Sequence, residues 1–159
     1  MNIAVISVGK LKEKPYREMA DEYLKRLSRY GKYEEIELPD LPEKVGSSPA
    51  EEEKLKIREG EEILRRLRHE DRAVALTISG RQRSSEELAM ELREAKQQGK
   101  GRMVFIIGGS LGLGNNVLAR ADCEMSMSRM TFPHQLAKVM LLEQLYRAEK
   151  ILSGERYHK

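Results

Sequence analysis

Three short segments of this chain concentrate residues that could contact a small molecule. They are Thr77-Ile78-Ser79-Gly80-Arg81, Gly108-Gly109-Ser110-Leu111-Gly112-Leu113-Gly114 and Ser126-Met127-Ser128-Arg129-Met130-Thr131-Phe132-Pro133-His134. The first two follow runs that read as β-strands, and the third lies near the last strand. In open parallel sheets, ligands bind beyond the C-terminal ends of the strands. The middle segment carries four of the 12 glycines within seven residues. Glycine allows close backbone approach and positive φ. Two familiar nucleotide motifs fail on it. A P-loop needs Lys after its last glycine, but Asn115 follows Gly114. A dinucleotide fingerprint begun at Gly112 needs Gly or Ala where Val117 stands. Both a sharp turn and a ligand-contacting loop stay open. Of the three histidines, His69 ends a charged helix and needs no function, and His134 reads as a capping or structural residue. His158, taken alone, reads as an exposed terminal side chain.

The elements that must position these segments alternate in type. Asn2–Val8 is a strand that stops at Gly9. Pro15 suits a helix's first turn, and Tyr16, Met19, Tyr23, Leu27 and Tyr30 form one stripe before Gly31. Tyr33–Leu38 is a weaker strand, and Pro39 to Pro49 a loop. Ala50–Glu70 is a charged helix with Leu55, Ile63, Leu64 and Leu67 inward, and its acidic opening suits the helix dipole. Ala73–Ile78 is a strand. Ser84-Ser85-Glu86-Glu87 is a capping box for a helix that buries Leu88, Leu92 and Ala95 and ends near Gly99. Met103–Ile107 is apolar throughout, as in a strand covered on both faces. A short helix, a short strand and a final helix from about Gln135 to Leu152 complete the order. This predicts an α/β fold, a mostly parallel sheet with helices on both faces, in a single domain over 1–159. The final helix is apolar on more than one side, so it needs two covers, and a second copy of the chain is the expected second one.

Charged residues are 35% and hydrophobic ones 40% of 159, a soluble globular balance. The longest apolar run is Met103–Ile107, far below the ~20 residues of a membrane span. The N-terminus has no secretory pattern. One cysteine, Cys123, excludes an internal disulfide framework and a thiolate metal cage, fits a reducing cytosol, and reads as a buried or half-buried side chain. Residues 1–72 carry 16 Lys/Arg against 17 Asp/Glu, and residues 73–159 carry 13 against 9. The net +3 does not mark a nucleic-acid binder, but it permits a basic face on the C-terminal half.

The string Ser126–His134, continuing through Glu143-Gln144-Leu145-Tyr146-Arg147-Ala148 to Tyr157-His158-Lys159, resembles the RlmH family within the SPOUT superfamily. Asn2–Lys10, Ile107–Gly109 and the length agree, so the resemblance spans essentially the whole chain. It implies a deep trefoil knot at the C-terminal end of the fold, an exception to the rule that chains do not thread loops. It implies a cytoplasmic homodimer, without an appended RNA-binding domain, that binds S-adenosylmethionine in the knot. The cofactor would be lined by Leu76, Gly108, Met127, Ser128, Arg129, Met130, Thr131 and Phe132. The implied reaction methylates N3 of a pseudouridine in 23S rRNA of the large subunit or assembled ribosome. Displacement at a sulfonium methyl group requires no metal, but N3 must lose its proton. His158, Tyr157, Arg147 and Glu143 are the groups available, with the tail reaching the site in cis or from the partner. RNA would meet Arg81, Arg83, Arg120, Arg129 and Lys159. The alternatives are a SPOUT enzyme with another RNA target and a non-catalytic nucleotide-binding regulatory protein.

Overall fold

Asn2–Val8 forms β1, and its alternate side chains feed two different cores. Ile3 and Val5 join one face of the sheet, while Ala4, Ile6 and Val8 join the other. The structure, a computed structural model, describes residues 1–99 and 101–159. The chain continues through α1 (Lys14–Leu27), β2 (Tyr33–Leu38), α2 (Pro49–Arg66), β3 (Arg72–Gln82) and α3 (Ser85–Gln98). It ends with β4 (Arg102–Ile107), α4 (Asn115–Arg120), β5 (Cys123–Ser126) and α5 (His134–Leu152). The five strands lie in the order β2-β1-β4-β3-β5, and every pairing is parallel. Helices α1, α3 and α5 cover one face, with α2 and α4 on the other. Strand β4 is buried along its whole length, as its unbroken apolar run predicts.

Local signals set the helix ends. Ser48 caps α2 by accepting from the Glu51 N–H, so the helix starts at Pro49 rather than Ala50. It stops at Arg66, not Glu70, because Leu67 turns extended and the Asp71 carboxylate takes the Arg68 N–H. Ser84 and Glu87 form the predicted capping box, and Gly99 closes α3 in the left-handed conformation.

Two features depart from expectation. Strand β3 runs to Gln82, well past Ile78, because it leaves and rejoins its ladder. Leu76 and Arg81 both register against Met125, and Thr77–Gly80 bulge out between them. Gly80 makes this possible, since a Cβ there would stand 2.8 Å from backbone atoms of Glu124 and Met125. We expect Gly80→Ala to cost about 1–3 kcal/mol through overpacking, read from urea unfolding midpoints. The second departure is α5. Its apolar sides are largely covered by α1 and α3 of the same chain, with Leu136 and Met140 left half-exposed.

Helix α5 also buries charge. Lys138 is 1% exposed and its ammonium lies 2.6 Å from Glu35 and 3.1 Å from Glu37. Arg17 on α1 reaches the same two carboxylates. Glu149 lies at 2.5 and 2.7 Å from Lys96 and also takes the Tyr33 hydroxyl. Burial and that carboxylate push the Tyr33 phenol well above its ordinary range. These pairs tie α1, β2, α3 and α5 together where apolar contact alone would allow sliding.

Candidate active site

Beyond the C-terminal ends of β3, β4 and β5, the three segments singled out above close around one cavity of about 860 Å³. The Thr77–Gly80 bulge supplies Thr77, Ile78 and Ser79, after Leu76 at the end of regular pairing. The glycine-rich loop supplies Gly108 to Leu113. A Cβ on Gly108 would lie 2.7 Å from the Gly112 backbone, so the loop folds onto itself only with glycine there. The glycine-rich segment is a tight turn, closed by the Gly112 N–H on the Gly109 carbonyl at 3.0 Å, and it also forms one wall of the cavity. Segment 127–134 supplies Met127, Ser128, Met130, Thr131, Phe132, Pro133 and His134. Seven of the eight residues named for the cofactor therefore line one space. Arg129 does not; its side chain is exposed outside it.

The lining is apolar at Leu76, Ile107, Leu113, Leu118 and Phe132, and hydroxyl-bearing at Thr77, Ser79, Ser110, Ser128 and Thr131. Glu124 is the one carboxylate among the described lining residues, and Thr77 donates to it at 2.9 Å. Sequence reasoning missed Glu124 and the lining role of His134. His134 is no cap: Pro133 holds the N-cap position with no side-chain bond. The Nε2 edge of its ring lies against Gly9 instead, where a Cβ would stand 3.1 Å from Nε2. Gly9 is at φ +93, which also favours glycine.

The other four named residues form a separate cluster. Arg147 holds Glu143 at 2.5 and 3.0 Å, and the Tyr157 hydroxyl donates to the same carboxylate oxygen at 3.2 Å. The Arg147 guanidinium lies 4.7 Å from the centre of the Tyr157 ring. Burial and the Glu143 charge push the Tyr157 phenol up to about 12, so it acts as a donor at neutral pH. His158 has Nδ1 3.4 Å from Arg147 and Nε2 2.7 Å from Glu86 on α3. A proton on Nε2 satisfies both contacts. The Glu86 carboxyl is lowered by its own backbone N–H and then by His158. Along α5, Glu143 lies nine residues beyond His134, about 13 Å of helix rise. It lines a second groove of about 500 Å³, which shares Met125 and Met127 with the first cavity and is otherwise walled by α1, α3 and α5 with Arg83, Ser84 and Ser126.

Two of the arginines predicted to meet RNA are occupied. Arg83 is 6% exposed, paired with Glu91 at 2.6 Å and bonded to the Arg81 carbonyl at 3.0 Å. Arg120 donates to the carbonyls of Arg68 and Asp71 at 2.9 and 3.1 Å. Both act as fasteners of the fold. Arg81, Arg129 and Lys159 remain exposed, with Arg81 bridged to Glu87 at 3.3 Å. Cys123 is half-buried beside Arg83, as expected. Among the described residues no group of three or more His, Cys, Asp or Glu is placed to hold a metal ion. No helix among them is long and apolar enough to cross a membrane.

Residues 1–158 of the chain match a family model described as "Predicted SPOUT methyltransferase". The chain belongs to the SPOUT methyltransferase family, and membership implies the C-terminal trefoil knot. Among curated relatives, a protein of Alkaliphilus oremlandii (strain OhILAs) is 51% identical over 159 residues, covering 100% of both chains. Proteins of Shouchella clausii (strain KSM-K16) and Clostridioides difficile (strain 630) are each 49% identical with the same full coverage. All three carry the name ribosomal RNA large subunit methyltransferase H.

Proposed function

We propose that the chain is an S-adenosylmethionine-dependent methyltransferase acting on N3 of a pseudouridine in 23S rRNA of the large ribosomal subunit. In this reading residues 1–159 form one cytoplasmic SPOUT methyltransferase domain, and it works as a homodimer. The observation that carries it is the cavity, where Leu76, Gly108, Met127, Ser128, Met130, Thr131 and Phe132 converge. Full-length identity near one half to relatives named as rRNA large subunit methyltransferases supports the substrate class.

The residues fit the donor. Gly108 lets the loop fold tightly against its own backbone as one wall, the apolar walls suit a flat purine, and Glu124 offers the anion a sulfonium or ammonium group calls for. When bound, S-adenosylmethionine supplies the electrophilic methyl group. The chain's own residues exclude water from the apolar walls and orient Glu124 through Thr77. Removing the N3 proton leaves an anion on the base, which a fixed guanidinium would stabilise. Arg147 is fixed, held by Glu143 from one side and stacked on Tyr157. Glu143 already accepts from Gln144, Arg147 and Tyr157, so it positions Arg147 rather than taking the proton. His158 is the proton acceptor at Nδ1, the nitrogen left without a proton while Nε2–H faces Glu86, once Nδ1 turns from Arg147 to the base.

Within one chain this cluster stands a helix segment away from the cavity, which favours delivery of the tail from a second copy. The groove bearing Met19, Tyr23 and Met140 is the surface for that copy. The test is incubation of the protein with donor carrying a labelled methyl group and ribosomes lacking the modification. Label at the pseudouridine N3 of the large-subunit rRNA is expected. Label in another RNA would redirect the substrate, and no label alongside demonstrated donor binding would sink the proposal.

A further inference from the structure

Five large apolar side chains are exposed among the described residues, and two of them, Ile78 and Met130, line the same cavity. Ile78 is 52% exposed on the bulge that β3 throws out between Leu76 and Arg81. Met130 is 72% exposed on the segment after β5. Both side chains therefore stand at the mouth of the cavity, where one flank faces its interior and the other faces outward. Apolar surface left exposed beside a ligand cavity marks a contact with something larger. Each of the two also has a cation beside it in sequence. Arg81, three residues beyond Ile78, has a side chain 69% exposed, and Arg129 precedes Met130. An aliphatic group for a base face and a cation for the adjacent phosphate is the chemistry that recognises a splayed nucleotide.

We infer that Ile78 and Met130 seat the target nucleobase at the cavity mouth, as substrate contacts rather than donor contacts. The inference rests on the function proposed above. It divides the 127–132 segment by role: Met127, Ser128, Phe132 and the Met130 backbone stay with the donor wall, where they line the cavity, and only the Met130 side chain goes to the RNA. The bulge then has a purpose: it lifts Ile78 out of the sheet, and Gly80 lets β3 return beneath it.

The test measures three quantities on the full chain carrying Ile78→Ala or Met130→Ala, with Ile78→Val and Met130→Leu as conservative partners. They are donor affinity by calorimetry, KM for large subunits lacking the modification, and solution mass by light scattering. Each alanine variant is expected to raise the subunit KM about tenfold, since most of a buried aliphatic contact is lost. Donor affinity should stay within about twofold and the mass should not change, with Met130→Leu restoring KM. A parallel loss of donor affinity would assign the pair to the donor site, and a fall in mass would assign it to a subunit interface. Either result, or an unchanged KM, overturns the inference while the methyltransferase reading stands. If the unsubstituted protein transfers no methyl group, both fall together.

Discussion

Removing Tyr157-His158-Lys159 is expected to lower methyl transfer by about 10²–10⁴-fold, the range for losing a positioned acid–base group, with donor affinity nearly unchanged. The separation of effects follows from geometry. None of these three residues lines the cavity built by Leu76, Gly108 and the 127–132 segment. The deletion takes away the ring under the Arg147 guanidinium, one of the donors to Glu143, and the imidazole. Arg147 keeps its pair with Glu143, so the fold should persist. Calorimetric titration with the donor and single-turnover transfer on ribosomes measure the two quantities independently. His158→Ala should reproduce most of the loss, and Tyr157→Phe less, because the phenylalanine ring still supports the guanidinium. If both the deletion and His158→Ala retain full transfer, the tail assignment is wrong. Mixing a tail-deleted copy with a copy defective in its cavity would distinguish cis from trans action. Recovered activity in the mixture is expected if the tail serves the partner.

Arg102→Met should destabilise the protein by about 3–5 kcal/mol, the cost of leaving a buried carboxylate without its cation. Asp71 has a fully buried side chain and Arg102 one 4% exposed, joined at 2.7 Å, with Glu34 the guanidinium's second partner at 3.3 Å. The pair sits where β3 and β4 begin, at the opposite end of the sheet from the cavity. Urea unfolding should therefore register the change while donor affinity in the folded fraction does not. Replacing both Arg102 and Asp71 with apolar residues should recover part of the loss, because no charge is then stranded. The pair also predicts an acid limb. Burial alone would raise the Asp71 carboxyl, but the Arg102 guanidinium and the Arg68 and Arg102 N–H groups outweigh it and hold it below its ordinary 3.8. The unfolded chain then binds the proton more readily than the folded one. The stability this confers is complete above the ordinary carboxylate range and is lost as pH falls through the depressed value. In Arg102→Met burial prevails, so acid unfolding should begin at higher pH than in the unsubstituted protein.

Much of the architecture is written locally. Ser84 and Glu87 cap a helix wherever the chain places it, Gly99 ends it, and the five apolar residues of Met103–Ile107 need cover on both faces in any fold. The three candidate segments were visible because glycines and hydroxyls gather just after strand-forming runs. What sequence could not show were contacts between distant positions. Lys138 looks like a surface residue of an amphipathic helix until Glu35 and Glu37, about a hundred positions away, are brought beside it. Arg83 and Arg120 look like phosphate ligands until their guanidinium groups are seen to be spent on Glu91 and on backbone carbonyls. Arg129 shares a segment with Met127 and Phe132, yet only tertiary structure leaves it outside the cavity that they line.

The sequence by itself determined the order of elements, the capped helix ends, the twice-covered central strand and the family, because periodicity, capping and motif strings act over a few residues. The tertiary structure alone decided the strand order β2-β1-β4-β3-β5, the bulge that presents Ile78, and the paired charges within the core. It also decided the docking of the tail on Arg147 and Glu86. The physical reason is the cost of desolvating a charge. Whether a lysine, arginine or glutamate is buried depends on finding a partner of opposite sign or a carbonyl to accept from it. That partner comes from another element, so its presence is settled only when the elements pack.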